Sequence, residues 1–307
     1  MRIIFFGTPD FADASLRALL RAGHDVVGVV TQPDRPQGRS RSALVPPPVK
    51  LSAVDAGVPV LQPDRPVGDL FVAALRRLEP DLGVVVAYGH ILRPEVLALP
   101  RLGLVNVHAS LLPKLRGAAP IQWAIANGDA ETGVSIMRMD AGMDSGPVYL
   151  RVPTPVAADD TGGSLTARLA ELGTQALLET LNDLVRGQAA PEPQDAAHAT
   201  FAPKVTRETA RIDWTQDATS VARRIRAFDP VPGAWTTLDG TDMKLFGART
   251  TPASGAAGTV LDAGERLVIA AASGAVDIAE VQPAGRRRMP VAQWARGRGV
   301  EPGRRLA

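Results

Sequence analysis

The first thirty residues leave this chain few folds to choose from. Arg2–Phe6 is an apolar run, Phe11–Ala22 places Phe11, Leu16, Leu19 and Leu20 near helical spacing before Gly23, and Val26–Thr31 is a second apolar run. A strand, a helix and a strand in that order pair in parallel through a right-handed crossover, the opening unit of a doubly wound sheet. The first turn, Gly7-Thr8-Pro9-Asp10-Phe11, lacks the glycine spacing that lets a pyrophosphate approach the backbone, so a dinucleotide cofactor is disfavoured.

The alternation continues. Val49–Ala56 reads as a short helix ended by Gly57, Val58–Leu61 as a short strand and Leu70–Leu78 as a helix. Asp81–Tyr88, centred on Val84-Val85-Val86, has the β-branched run of a strand buried on both faces. Leu104–His108 is the next strand, Pro120 opens a helix to Asn127, and Gly133–Met137 is a further strand. Thr161–Arg186 begins with a Thr-Gly-Gly-Ser capping region and runs on as a long amphipathic helix. Within this series Gln32–Pro48 is a long polar loop carrying Arg35, Arg39 and Arg41, and it reads equally as a solvated loop or as a phosphate-seeking one.

Gly187–Ala202 is rich in Ala, Pro, Gln and Asp with little periodicity, as an extended linker would be. Beyond it a helix over Ala218–Phe228 is followed by short β-like runs at Ala234–Leu238, Met243–Ala248, Gly258–Asp262, Leu267–Ala271 and Ala275–Val281. Five short strands and a helix allow a barrel of the oligonucleotide-binding (OB) type, and equally a generic small β-domain. A chain of 307 residues has room for two domains. The expected division is an α/β domain over 1–187, a linker over 188–203 and a β-domain over 204–307.

Charge separates the same parts. Residues 204–307 hold 16 Lys/Arg against 11 Asp/Glu, whereas residues 1–203 hold 18 against 21. A basic β-domain points weakly to a nucleic-acid partner. The chain has no cysteine, which removes thiolate catalysis, cysteine-based metal sites and disulfides, and suggests a cytoplasmic setting. The apolar stretch within Met1–Gly7 is too short for a signal-peptide core or a membrane span, so no membrane partner is expected.

Chemistry concentrates at the end of the Leu104–His108 strand. Asn106 and His108 are two residues apart and so face the same way. Asp144 lies in the glycine-punctuated loop Met139–Gly146, just past another strand end, and in a parallel sheet such positions converge on one cleft. An imidazole can move a proton, an amide can donate to a developing oxyanion, and a carboxylate can orient the imidazole or take a proton. Together they suit acyl transfer by direct attack. A covalent acyl-enzyme is the weaker reading, because Ser110 lies outside a G-x-S-x-G elbow. Each residue also has a plain structural reading, and Asp140 competes for any role given to Asp144. No His and carboxylate set has metal-ligand spacing, so no metal is predicted.

The stretches Phe6-Gly7-Thr8-Pro9-Asp10-Phe11, Thr31–Pro36, Asn106-Val107-His108-Ala109-Ser110-Leu111-Leu112-Pro113, Arg116–Ile121, Glu131–Val134 and Met139–Gly146 carry a likeness. By them the chain is identified as resembling the methionyl-tRNA formyltransferase family, one of the 10-formyltetrahydrofolate-dependent formyltransferases. The likeness continues through Ala210–Trp214 and Ile225–Phe228, and so spans nearly the whole chain. It implies a Rossmann-like, mostly parallel catalytic domain followed by an OB-like β-barrel. It implies formyl transfer from 10-formyltetrahydrofolate to the amino group of initiator methionyl-tRNA, by a monomer, with Asn106, His108 and Asp144 catalytic and Ser110, Leu111, Leu112 and Pro113 against the folate. Asn-x-His with a later Asp is common to all users of formyl-tetrahydrofolate. The choice of tRNA as acceptor rests instead on the loop, where Arg39 after Gly38 matches an Arg of the family and Arg41 lies beside it, and on the basic C-terminal domain. Where that family usually continues with a lysine-bearing run, this chain has Ser40-Arg41-Ser42-Ala43.

Overall fold

The computed structural model describes residues 1–37, 43–297 and 299–307. In chain order the first elements are β1 (Arg2–Gly7), α1 (Asp10–Arg21), β2 (Asp25–Val30), β3 (Arg35–Gln37), β4 (Ala43–Val45), α2 (Pro48–Asp55), β5 (Val60–Leu61), α3 (Asp69–Arg77), β6 (Leu82–Val86) and α4 (Pro94–Leu97). They are followed by β7 (Leu104–His108), α5 (Pro120–Asn127), β8 (Glu131–Arg138), β9 (Val148–Pro155) and α6 (Gly162–Arg186). The remainder comprises α7 (Ala218–Ala227), β10 (Ala234–Leu238), β11 (Thr241–Phe246), β12 (Arg249–Thr251), β13 (Val260–Ala263), β14 (Leu267–Ala270), β15 (Ala275–Ile278), β16 (Glu280–Pro283), β17 (Met289–Pro290) and α8 (Val291–Gly297).

The chain forms two compact units. One comprises Met1–Ala118, Thr132–Thr154 and Thr166–Ala202; the other comprises Ala119–Glu131, Pro155–Leu165 and Pro203–Ala307. The stretch expected to be a linker is extended, but most of it lies along the first unit. Glu192 bridges Val148, and Phe201 bridges Arg116. The α5 segment groups with the C-terminal residues because α5 packs on α7, where the Arg223 guanidinium sits over Gly128.

The first unit is built on a seven-stranded sheet of order β5-β2-β1-β6-β7-β8-β9. The pairs β2–β5, β1–β2, β1–β6 and β6–β7 are parallel, and β7–β8 is antiparallel. It is the Rossmann-like, mostly parallel sheet expected. From β1 the chain builds outward to β5 and then returns to the other side at β6, which sets a switch point between β1 and β6. The loops there are tied together, since Thr8 Oγ1 and Gln32 Nε2 both donate to the Tyr88 carbonyl, at 3.1 and 2.9 Å. The strand cores are apolar, with Ile4, Phe6, Val30, Val85 and Leu104 packed against Phe71, Val72 and Leu75 of α3. On α6, Leu169, Ala176, Leu177 and Leu181 are buried. Gly173 of that helix faces Val107, where an added Cβ would stand 2.8 Å from Val107 Cγ1. Val107 therefore faces α6, and pleating turns Asn106 and His108 to the opposite face.

The sequence reading misses β9, the four-residue α4, the terminal α8, and the hairpin β3–β4 inside the polar loop, which pairs Arg35 with Val45 and Pro36 with Leu44. Arg39 and Arg41 lie outside the described residues.

The second unit carries two four-stranded sheets, β10-β11-β16-β17 and β12-β15-β14-β13, in which the neighbouring strands run antiparallel. Among the described residues eight strands stand where spacing predicts five: β12 and β17 are only three and two residues long, and the run read as Ala275–Val281 divides between β15 and β16. Asp217 caps α7, accepting from the backbone N–H of Thr219 and Ser220 at 2.9 and 3.0 Å. Arg288 binds the buried Asp229 with both terminal nitrogens, at 2.6 and 3.2 Å, also reaches Glu280, and lies 4.0 Å over the Phe246 ring. Among the described residues no helix is long and apolar enough to cross a membrane.

Candidate active site

β7 delivers the polar pair. Asn106 stands between Val85 of β6 and Met137 of β8 and is half-buried, and His108, at the strand end, is buried opposite Ser135. His108 Nε2 lies 3.0 Å from the Leu115 carbonyl, and Nδ1 lies 3.7 Å from Asp144 Oδ2. Both ring nitrogens thus face acceptors, Nε2 at hydrogen-bond length and Nδ1 further off. The distance to Asp144 is an ion-pair contact and is too long for a hydrogen bond.

Asp144 is fixed from several sides. Its backbone is left-handed, at φ 48°, which costs a non-glycine residue about 1–2 kcal/mol. Its Oδ2 accepts the Gly117 N–H at 2.8 Å. Gly117 has φ 115°, and a Cβ there would meet the Ala202 carbonyl oxygen at 2.8 Å, so both conformation and space demand glycine. Asp140, the competitor for the acidic role, is used by its own loop: it accepts from the Gly142 N–H and from Ser145 Oγ, each at 3.0 Å. The structure therefore brings His108 and Asp144 together, places Asn106 two residues before His108 on the same strand, and leaves Asp140 as the turn-former.

The segment Ser110–Pro113 divides by side chain. Ser110 is fully buried and its hydroxyl donates to the Lys114 carbonyl at 2.5 Å; Leu112 is buried against Met137 and Val148. Ser135 Oγ stitches the turn, donating to the Ser110 carbonyl at 2.7 Å and accepting the Leu112 N–H at 3.0 Å, while Arg151 Nε donates to the Leu112 carbonyl at 2.8 Å. Leu111 and Pro113, half-buried, supply what side-chain surface the turn offers. The sequence reading gave no role to Arg116, quoted only within the motif Arg116–Ile121, or to Gln194, and the two meet behind the Asp144 loop. Their signal was faint: an Arg before a glycine, and a Gln after Pro191-Glu192-Pro193 in a stretch read as linker. Among the described residues no group of three or more His, Cys, Asp or Glu side chains is arranged to hold a metal ion.

An imidazole facing a carboxylate, with an amide two residues before it on the strand, suits attack of an amine on a carbonyl. Residues 1–181 match the model of the family described as formyl transferase, and residues 204–299 match that of the formyl transferase C-terminal domain. The methionyl-tRNA formyltransferase of Roseiflexus sp. is 48% identical over 310 residues, covering 100% of this chain and 95% of that protein. That of Citrifermentans bemidjiense is 45% identical over 304 residues, covering 99% of this chain and 95% of that protein. Among solved structures, HypX from Aquifex aeolicus in complex with tetrahydrofolic acid superposes with a TM-score of 0.68 at 24% identity. The match covers 96% of this chain and 46% of that one, about half of its length, and at that identity it speaks for the fold alone. The chain belongs to the formyl transferase family and, within it, to the methionyl-tRNA formyltransferases.

Proposed function

We propose that the chain transfers the formyl group of 10-formyltetrahydrofolate to the free amino group of the methionine on initiator tRNA, as a monomer in the cytoplasm. The observation that carries this reading is His108 facing Asp144 at 3.7 Å beside Asn106, in a chain that is full-length kin to methionyl-tRNA formyltransferases. The amine attacks the formyl carbon, the new C–N bond forms, and the carbonyl oxygen takes up negative charge. Asn106 donates its amide N–H to that oxygen, and His108, as the imidazolium, donates a second. One such donor is worth on the order of 3–4 kcal/mol in the transition state. Asp144 accepts the proton lost by the amine. Collapse then breaks the bond from the formyl carbon to the folate nitrogen, which leaves with the proton that Asp144 took from the amine, so that carboxylate and imidazolium are both restored.

For this His108 must turn one nitrogen from the protein to the substrate. Closing the gap between Nδ1 and Asp144 to hydrogen-bond length lets Nε2 exchange the Leu115 carbonyl for the formyl oxygen, in keeping with catalytic hydrogen bonds that shorten when substrate binds. Ser110–Pro113 form the folate-side wall, Ser110 and Leu112 as its framework and Leu111 and Pro113 as its surface. Arg39, Arg41 and the basic residues beyond Lys204 hold tRNA phosphates.

His108→Ala and Asp144→Ala test the reading in a formyl-transfer assay with initiator methionyl-tRNA. Each should lower turnover on the order of 100- to 1000-fold while leaving the melting temperature near that of the unaltered protein. Near-normal turnover in either variant would sink the mechanism.

A further inference from the structure

Behind the Asp144 loop lies a second polar layer, contributed by Arg116 and by the stretch that leads out of the first unit. Arg116 is buried to 8% exposure, and its Nε and Nη2 both donate to Gln194 Oε1, at 3.2 and 2.7 Å. A guanidinium has no acceptor, so the Gln194 oxygen must face it and the Gln194 amide nitrogen must face away. That nitrogen points at the catalytic loop: Nε2 donates to the Asp144 carbonyl at 2.9 Å and to the Gly146 carbonyl at 2.7 Å. One acceptor is the carbonyl of Asp144 itself and the other lies two residues further on, so the amide grips the backbone on the C-terminal side of the acidic residue.

The same loop holds Asp144 at φ 48°, a conformation that persists only where the surroundings over-determine it. The Gly117 N–H fixes the carboxylate, and Gln194 fixes the backbone from the other side. Gly117 directly follows Arg116, whose own backbone pairs with the chain around Phe201: the Arg116 N–H donates to the Thr200 carbonyl at 2.9 Å, and the Ala202 N–H donates to the Arg116 carbonyl at 2.7 Å. One short parallel pairing therefore aligns the donor to the Asp144 carboxylate and the donor that orients Gln194.

We infer that Gln194, oriented by the buried Arg116, is a positioning residue that holds the Asp144 backbone in its left-handed conformation so that the carboxylate faces His108. The inference rests on the reading of Asp144 as the acid–base partner of His108. Gln194 touches no reacting atom in this role and acts through the loop alone.

Gln194→Glu separates this role from mere packing. A glutamate keeps an acceptor for Arg116, so the contact behind the loop survives, but the change replaces both donors to the loop with an oxygen that the Asp144 and Gly146 carbonyls repel. We expect Gln194→Glu to melt near the unaltered temperature, to keep its KM for 10-formyltetrahydrofolate, and to lose kcat on the order of 100-fold, the scale of an ångström-sized misplacement. Its pH–rate profile should shift, because that profile reports the ionisation of the catalytic groups. Gln194→Ala should lose kcat to a similar extent. Unaltered kcat and pH profile in Gln194→Glu would overturn the inference, as would a kcat loss in both variants that only tracks the fraction unfolded. Asp144→Ala is run alongside: if it is inactive while Gln194→Glu is normal, the positioning role fails and the site stands; if Asp144→Ala is active, the site reading itself has failed.

Discussion

Tyr88 follows the buried strand β6 and is itself only 2% exposed, packed edge-on to Phe6 with ring centroids 5.6 Å apart. Its hydroxyl is buried without a hydrogen-bond partner among the described residues, while its carbonyl does the work of joining the switch-point loops. Burial pushes the phenol up to about 12 from an ordinary 10.0. The fold's contribution from the neutral ring is thus fully present below pH 10.0 and is lost as pH rises towards 12. An unsatisfied buried hydroxyl is a cost that phenylalanine removes without changing the shape of the ring. Tyr88→Phe should raise stability by about 1 kcal/mol in denaturant unfolding with turnover unchanged; a loss of stability would mean that the hydroxyl has a partner. At this scale the sequence was legible where a side chain's chemistry sits in a regular element, as with Asn106 and His108 on alternating positions of β7. Gln194 was not legible, because its role lies in bonds to backbone carbonyls 48 and 50 positions away, and carbonyls leave no residue-type signature.

At the scale of elements, β7 and α5 could be bounded to the residue because a β-branched alternation and a Pro at the helix start mark their ends. The hairpin β3–β4 could not, since three-residue strands carry no period. What roots that hairpin is Asp34. Gln62 Nε2 donates to it at 2.8 Å, Lys50 Nζ reaches both its oxygens at 2.9 and 2.7 Å, and the Gln62 and Lys50 bonds hold its carboxyl below the ordinary 3.8. A depressed carboxyl anchors at neutral pH and lets go as pH falls below 3.8 through its folded value. In sequence, Arg39 and Arg41 fall between the two strands of this hairpin. Asp34→Ala should therefore raise the KM for methionyl-tRNA several-fold and leave that for 10-formyltetrahydrofolate unchanged in steady-state kinetics; an equal rise in both would assign the anchor to the folate side.

For the whole molecule, the change from alternating helices and strands to short strands beyond residue 203 announced two bodies, and the charge difference between them suggested which one meets nucleic acid. The exact division was not legible, because α5 sits early in the chain yet packs on α7, a contact that no local pattern encodes. On the proposed reading Asn106, His108 and Asp144 move the formyl group, and the loop arginines with the basic second half choose the acceptor. Formyl transfer from 10-formyltetrahydrofolate is therefore best measured at one ionic strength, since phosphate contacts are salt-dependent, with initiator methionyl-tRNA, elongator methionyl-tRNA and an amino-sugar nucleotide offered side by side. The account predicts that initiator methionyl-tRNA is formylated and the other two remain near background. Formylation of the amino-sugar nucleotide with methionyl-tRNA untouched would contradict it.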